Sequence, residues 1–113
     1  MHTTVPFRPQ IEARDCGAAA LGMILAYFVR HVALHELRAA CLVNREGVGV
    51  LSIVNAARHY GLNARAIRRE HLAGVLLPAV IFWNFNHFLV LEEVNADSIV
   101  VQDPAYGQRI LPN

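Results

Sequence analysis

From Cys16 to Val29 the chain carries no charged residue, and Asp15 and Arg30 bound the run. Ala, Leu and Met dominate it, the residues that lose least on entering a helix, and a helix apolar on all sides must be buried. The run falls short of the roughly 20 residues that span a bilayer, so it has to be buried in protein. Everything else in the chain must wrap around it. The pattern predicts a helix over 16–29 with Asp15 as its N-cap.

That helix would carry Cys16 in its first turn. Unpaired backbone N–H groups and the positive end of the helix dipole favour thiolate over thiol there, so the sequence predicts a lowered thiol pKa and a nucleophile. A free cysteine is also among the most buried residue types, and by itself Cys16 fits a space-filling role equally well.

At 113 residues the chain is long enough for one domain with a core that needs no staples, and residues 1–113 are expected to form a single unit. Residues 1–14 read as an extended arm, with Pro6 and Pro9 against helix. A second helix is expected over 34–42, with Leu34, Leu37, Ala40 and Cys41 on one face. A third should begin near Val50, bury Val50, Ile53, Val54 and Ala57, and stop at Tyr60-Gly61. Past Gly61 the period changes. Residues 62–68 alternate as a strand does, 70–75 allow one helical turn, and 78–83, 87–94 and 98–102 read as three strands joined by short turns at 84–86 and 95–97. Helices first and strands afterwards indicate α+β, with N-terminal helices packed on a C-terminal antiparallel sheet.

Composition removes several classes of function. Hydrophobic residues make up 55% and charged residues 17%, which excludes disorder. A net charge of +1 gives no electrostatic footprint for nucleic acid. Only Cys16 and Cys41 are present, so a disulfide framework is not expected and a reducing cytosol fits; Cys41, in an Ala-Ala-Cys-Leu-Val run, reads as core. No cofactor or metal is implied. His31 and His35 are four apart, but Val32 stands where an H-E-x-x-H pair has glutamate, and the first histidine precedes the helix.

The sheet supplies partners for Cys16. His87 opens the second strand, and Asp103 closes the third, where Pro104 forbids further ladder pairing. If those strands pair through the turn at 95–97, the start of one lies beside the end of the other. A carboxylate beside that imidazole can fix its tautomer, and a sheet packed on the first helix can set the ring against Cys16. Gln10, six residues before Cys16, is within reach to donate its amide to a developing oxyanion, although a surface glutamine is the commoner case.

Four blocks carry a family resemblance: Gln10-Ile-Glu-Ala-Arg-Asp-Cys-Gly-Ala-Ala-Ala-Leu-Gly-Met-Ile-Leu25, Leu34-His-Glu-Leu-Arg38, Leu77-Pro-Ala-Val-Ile-Phe-Trp-Asn-Phe-Asn-His-Phe-Leu-Val-Leu91 and Val101-Gln-Asp-Pro-Ala-Tyr-Gly107. Together the chain resembles the double-glycine leader peptidase domains of bacteriocin and lantibiotic exporters. These are papain-like cysteine peptidases fused to ABC transporters that cut leader peptides after Gly-Gly or Gly-Ala. The resemblance implies Cys16 as nucleophile, His87 as general base, Asp103 as the residue orienting it and Gln10 as oxyanion donor. It implies no cofactor for the peptidase, and as partners a precursor peptide and the transporter's membrane and nucleotide-binding domains, at the cytoplasmic face of the bacterial membrane. Trp83, Phe85 and Phe88 flank His87 and are expected to wall a passage that admits only glycine before the scissile bond. Val29 and Ala33 stand where the family has glycine and proline, and the chain is expected to be truncated at its C-terminal end relative to the family.

A non-catalytic relative that only docks export substrates is the alternative, and retention of Gln10, Cys16, His87 and Asp103 together favours the enzyme.

Overall fold

The computed structural model describes residues 3–45, 47–68, 71–83 and 87–112, together with the backbone but not the side chain of Trp83. A 3₁₀ turn at Ala13–Asp15 leads directly into α1 (Cys16–Tyr27), followed by α2 (Leu34–Ala40), α3 (Val50–His59) and the strands β1 (Ala79–Trp83), β2 (His87–Val94), β3 (Ser98–Asp103) and β4 (Gly107–Pro112). The strands form one antiparallel sheet in sequence order, and α1 packs on β2 with α2 and α3 against its other sides. This is the expected α+β arrangement.

Every residue from Cys16 to Ala26 is buried, as a helix with no polar face must be. Leu37 and Cys41 from α2 and Ile53, Ala56, Ala57 and Tyr60 from the α3 region close around it, and Phe88 and Val90 of β2 complete the cluster. The alternate residues Leu89 and Leu91 face the other side of the sheet, where Ile99 and Val101 join them under the segment 72–77. The unbroken apolar run 88–91 is thus a strand covered on both faces. No helix among the described residues is long and apolar enough to cross a membrane.

Several boundaries differ from the sequence expectation. α1 ends at Tyr27, and Val29 takes a left-handed conformation (φ 62°), with Val29 N–H donating to the Ala26 carbonyl and Arg30 N–H to that of Leu25. This is the helix stop at which glycine is usual. α2 ends at Ala40, and Val50, expected on the buried face of α3, is exposed. Residues 62–68 are not a strand. Leu62 and Ala64 do pack on the core, which produces the alternation, but Arg58 Nε donates to the Ala64 carbonyl at 2.9 Å and no strand among the described residues pairs with the segment. The turn expected over 70–75 is only a hydrogen bond from Val75 N–H to the Leu72 carbonyl among the described residues, and the link at 84–86 lies outside them. β4 was not foreseen.

The N-terminal arm is bound to the sheet. A register shift between Leu91 and Glu93 leaves Glu92 at an irregularity in the β2–β3 ladder. Its buried carboxylate accepts from Val5 N–H at 2.7 Å and Gln108 Nε2 at 3.2 Å, while Thr3 donates to its carbonyl through both N–H and hydroxyl. Farther along, Gln10 N–H donates to the Pro104 carbonyl at 3.0 Å. The arm therefore delivers Gln10 to the end of β3.

Candidate active site

β3 stops at Asp103, and the residue builds its own turn. Its Oδ1 accepts from Ala105 N–H at 2.8 Å and its carbonyl from Tyr106 N–H at 3.1 Å, while Gly107 (φ 90°) supplies the left-handed conformation that starts β4 opposite Asp103. The same carboxylate holds the histidine: His87 Nε2 lies 2.6 Å from Asp103 Oδ1. Arg109 of β4 donates to Oδ2 at 3.0 Å and rests over the Tyr106 ring.

Burial alone would push the Asp103 pKa up, but hydrogen bonds from His87, the Ala105 N–H and Arg109 outweigh it and hold the carboxyl below the ordinary range. Asp103 is therefore ionised at neutral pH and can only accept, so the proton between the two residues sits on His87 Nε2. A neutral ring in that tautomer offers the lone pair of Nδ1 to whatever lies on its other side. The His87 side chain is 23% exposed, enough for a substrate to reach it.

Cys16 stands at the start of α1, 7% exposed, and its Sγ accepts the Phe88 N–H at 3.5 Å. Phe88 follows His87 directly, so the thiol lies against the backbone next to the histidine. Gly17 allows this approach: a Cβ there would lie 2.4 Å from Val48 Cγ1, 3.0 Å from Ile53 Cδ1 and 3.2 Å from Phe88 Cδ2. The expected lowering of the Cys16 pKa is not found. Burial raises it, as does the Asp103 charge, and together they outweigh the lowering by the N–H groups of Phe88, Gly17 and Cys16 itself. The balance at Cys16 therefore favours thiol over thiolate.

Asp15 occupies the N-cap position of α1 as expected, but its side chain makes no capping hydrogen bond to the helix. Its side chain turns back to accept from Glu12 N–H at 2.8 Å and Ile11 N–H at 3.3 Å, and Arg38 of α2 grips both of its oxygens. The Gln10 carboxamide is also directed into its own arm: Nε2 donates to the Glu12 carbonyl at 3.2 Å, and the buried Oε1 has no hydrogen-bond partner among the described residues. Its backbone lies beside Asp103 as expected, while its side-chain bond is local. Trp83 pairs with His87 across β1 and β2; its side chain and all of Phe85 lie outside the described residues. Phe88, expected in the wall flanking His87, is buried. Its ring belongs to the main core, 4.7 Å from Phe82 and against Gly17, so it supports α1 from below.

Sequence reasoning missed Arg109 and Arg38. The first lay in the unread β4, and the second follows Leu37 on a helix of which only the apolar face was read. Among the described residues no group of three or more His, Cys, Asp or Glu could hold a metal ion, and the nearest partner of His31 is Arg8, 2.7 Å from its Nδ1.

A cysteine heads a buried helix that packs on an antiparallel sheet with a His–Asp pair at one end, the arrangement expected from the sequence for a cysteine peptidase. The chain belongs to the Peptidase C39 family, which matches residues 4–113. It superposes on a double glycine motif protease from an AMS/PCAT transporter, solved in complex with the leader peptide, with a TM-score of 0.93 and 41% identity over 98% of this chain and 81% of that one. It is 34% identical over 109 residues to the probable microcin-H47 secretion/processing ATP-binding protein of Escherichia coli, and 35% identical over 106 residues to the pediocin PA-1 transport/processing ATP-binding protein of Pediococcus acidilactici. Those alignments cover 95% and 87% of this chain but 16% and 15% of the relatives. The peptidase domain of Streptococcus ComA shares the fold, with a TM-score of 0.83 at 23% identity.

Proposed function

We propose that this chain is a cysteine endopeptidase that removes leaders from bacteriocin-type precursor peptides after Gly-Gly or Gly-Ala, acting beside the membrane and nucleotide-binding domains of an ABC exporter at the cytoplasmic face of the membrane. The observation that carries the reading is the 2.6 Å hydrogen bond between His87 and Asp103 at the sheet end where the Cys16 thiol meets Phe88 N–H.

The chemistry follows from those positions. Asp103, ionised, holds His87 with its proton on Nε2, and Nδ1 takes the proton of the Cys16 thiol as sulfur attacks the carbonyl carbon of the glycine or alanine before the scissile bond. The carbonyl oxygen gains negative charge, which the Gln10 carboxamide stabilises through the N–H that Glu12 does not use. His87 returns its proton to the departing amine, leaving a thioester on Cys16. Water, deprotonated by His87, then releases the leader. Asp103 offsets the positive charge on the ring in both halves, and no cofactor enters. A side chain larger than a methyl group before the bond would not pass between the walls proposed to flank His87, for which Trp83 and Phe85 are the candidates.

The test is cleavage of a precursor encoded beside this chain whose leader ends in Gly-Gly or Gly-Ala, with the cut mapped by mass spectrometry. Cleavage after that pair, absent in Cys16→Ala and absent when valine replaces the glycine before the bond, is the expected result. Retained cleavage in Cys16→Ala overturns the mechanism, and rapid cleavage of the valine substrate overturns the narrow passage.

A further inference from the structure

Asp15 and Arg38 take no part in the steps above, yet they hold the segment that separates Gln10 from Cys16. Asp15 is fully buried and directly precedes the cysteine. Arg38 Nε donates to its Oδ1 at 2.8 Å and the Arg38 terminal nitrogen Nη2 to its Oδ2 at 2.6 Å, a two-pronged contact that fixes the plane of the carboxylate. That plane aims Oδ2 at the N–H groups of Glu12 and Ile11, 2.8 and 3.3 Å away. The Glu12 carbonyl in turn accepts Gln10 Nε2 at 3.2 Å. A continuous line of contacts thus runs from α2 through Asp15 and the backbone of Glu12 to the Gln10 amide.

The line has a directional consequence. A glutamine side chain has three freely rotating bonds, and nothing else among the described residues bonds its carboxamide. Because a carbonyl only accepts, it selects the amide nitrogen and leaves the second N–H pointing along a direction that Glu12 sets. The Glu12 carbonyl is held by Asp15 N–H at 2.9 Å and the Glu12 N–H by the Asp15 carboxylate, so the turn that carries the carbonyl is closed through Asp15, whose carboxylate Arg38 holds in place. Arg38 lies partly open to solvent, 30% exposed, so it can be changed without opening the core.

We propose that Arg38 and Asp15 are positioning residues for the Gln10 carboxamide and so control the chemical step rather than substrate binding. The inference rests on the oxyanion role given to Gln10 above. Loss of the Arg38 fork frees the Asp15 carboxylate from the N–H groups of Glu12 and Ile11, loosens the turn that carries the Glu12 carbonyl and takes the amide off its line.

The experiment is a double-mutant cycle on the precursor substrate, reading kcat, KM and melting temperature for Gln10→Ala, Arg38→Met, Arg38→Lys and the two double variants. Displacing a reacting group by about 1 Å lowers rate up to about a hundredfold, so Arg38→Met should lower kcat by about ten- to a hundredfold and change KM by less than about twofold. Arg38→Lys, which keeps the charge and loses the fork, should recover part of the rate. In the Gln10→Ala background either Arg38 substitution should change kcat by less than about twofold, because the group it positions is gone. Equal fold-losses in both backgrounds overturn the proposal and leave Arg38 a stabilising ion pair only. A Gln10→Ala variant with unchanged kcat overturns the oxyanion role and this proposal with it, whereas absence of cleavage by the unsubstituted chain strikes the peptidase reading itself. If Arg38→Met does not fold, Arg38→Lys carries the same comparison.

Discussion

The backbone N–H of Phe88 points at Cys16 Sγ from 3.5 Å, joining positions 72 residues apart. It ties the first turn of α1 to the first turn-side residues of β2, and it gives the two cysteines different fates. Cys41 is sealed in the core, where burial pushes its pKa up to about 11. Iodoacetamide at neutral pH should therefore alkylate Cys16 in the folded protein and leave Cys41 untouched until denaturant is added. Peptide mapping reads both sites, and equal modification of Cys41 in the folded chain contradicts the assignment.

His87 and Asp103 share one hydrogen bond but carry different loads. In the proposed mechanism His87 moves protons in both halves of the reaction, whereas Asp103 fixes its tautomer and offsets its charge. Asp103→Asn should lose about 10⁴-fold in kcat, the loss seen when a triad aspartate is neutralised elsewhere, and His87→Ala more. Equal residual rates in the two variants show that the roles are misassigned.

Val29 is a β-branched residue in left-handed backbone, 81% exposed, so its side chain contributes little packing to offset the strain. Val29→Gly should raise stability by about 1 kcal/mol, which for a chain of this size is a rise of about 4–8 °C in Tm. A lower Tm in the glycine variant contradicts the strain argument.

Asp15 makes stability depend on acid. Hydrogen bonds from Arg38 lower its pKa most, burial opposes them, and the N–H groups of Glu12 and Ile11 lower it further. A folded-state pKa below the unfolded value of about 3.9 means that the contribution is complete above that value and is lost as pH falls through the folded pKa. Asp103 shifts in the same direction. Melts from pH 7 to pH 2 should be flat down to about pH 4 and fall below it. Asp15→Asn should melt lower at pH 7 and lose less on acidification, and parallel curves for the two proteins contradict the linkage.

How far the sequence could be read depended on whether the deciding contact was local. An apolar run bounded by charges permits only a buried helix, so α1 was legible, and a strand start paired with a strand end across a short turn brought His87 to Asp103. The face of α2 with Leu37 and Cys41 followed from helical spacing. Contacts decided by a distant partner were not legible. Asp15 has the residue type of an N-cap, but Arg38 on another helix draws its carboxylate away. Residues 62–68 alternate because one side packs on the helices, and alternation does not reveal whether a neighbouring strand exists. β4 was hidden between Pro104 and Pro112, with Gln108, Arg109 and Ile110 all exposed and no apolar period to show it. The Cys16 pKa went the other way because burial, which sequence does not measure, outweighs the helix terminus.

In the proposed mechanism His87 activates the Cys16 thiol against the carbonyl before the scissile bond. The most direct measurement uses the leader peptide ending in Gly-Gly with a chloromethyl ketone in place of the scissile bond, in which sulfur displaces chloride and forms a stable thioether. Intact-mass spectrometry should show one adduct, mapped to Cys16, forming at least about a hundredfold more slowly in His87→Ala, the range a general base contributes. An adduct on Cys41, or one on Cys16 that forms equally fast without His87, contradicts it.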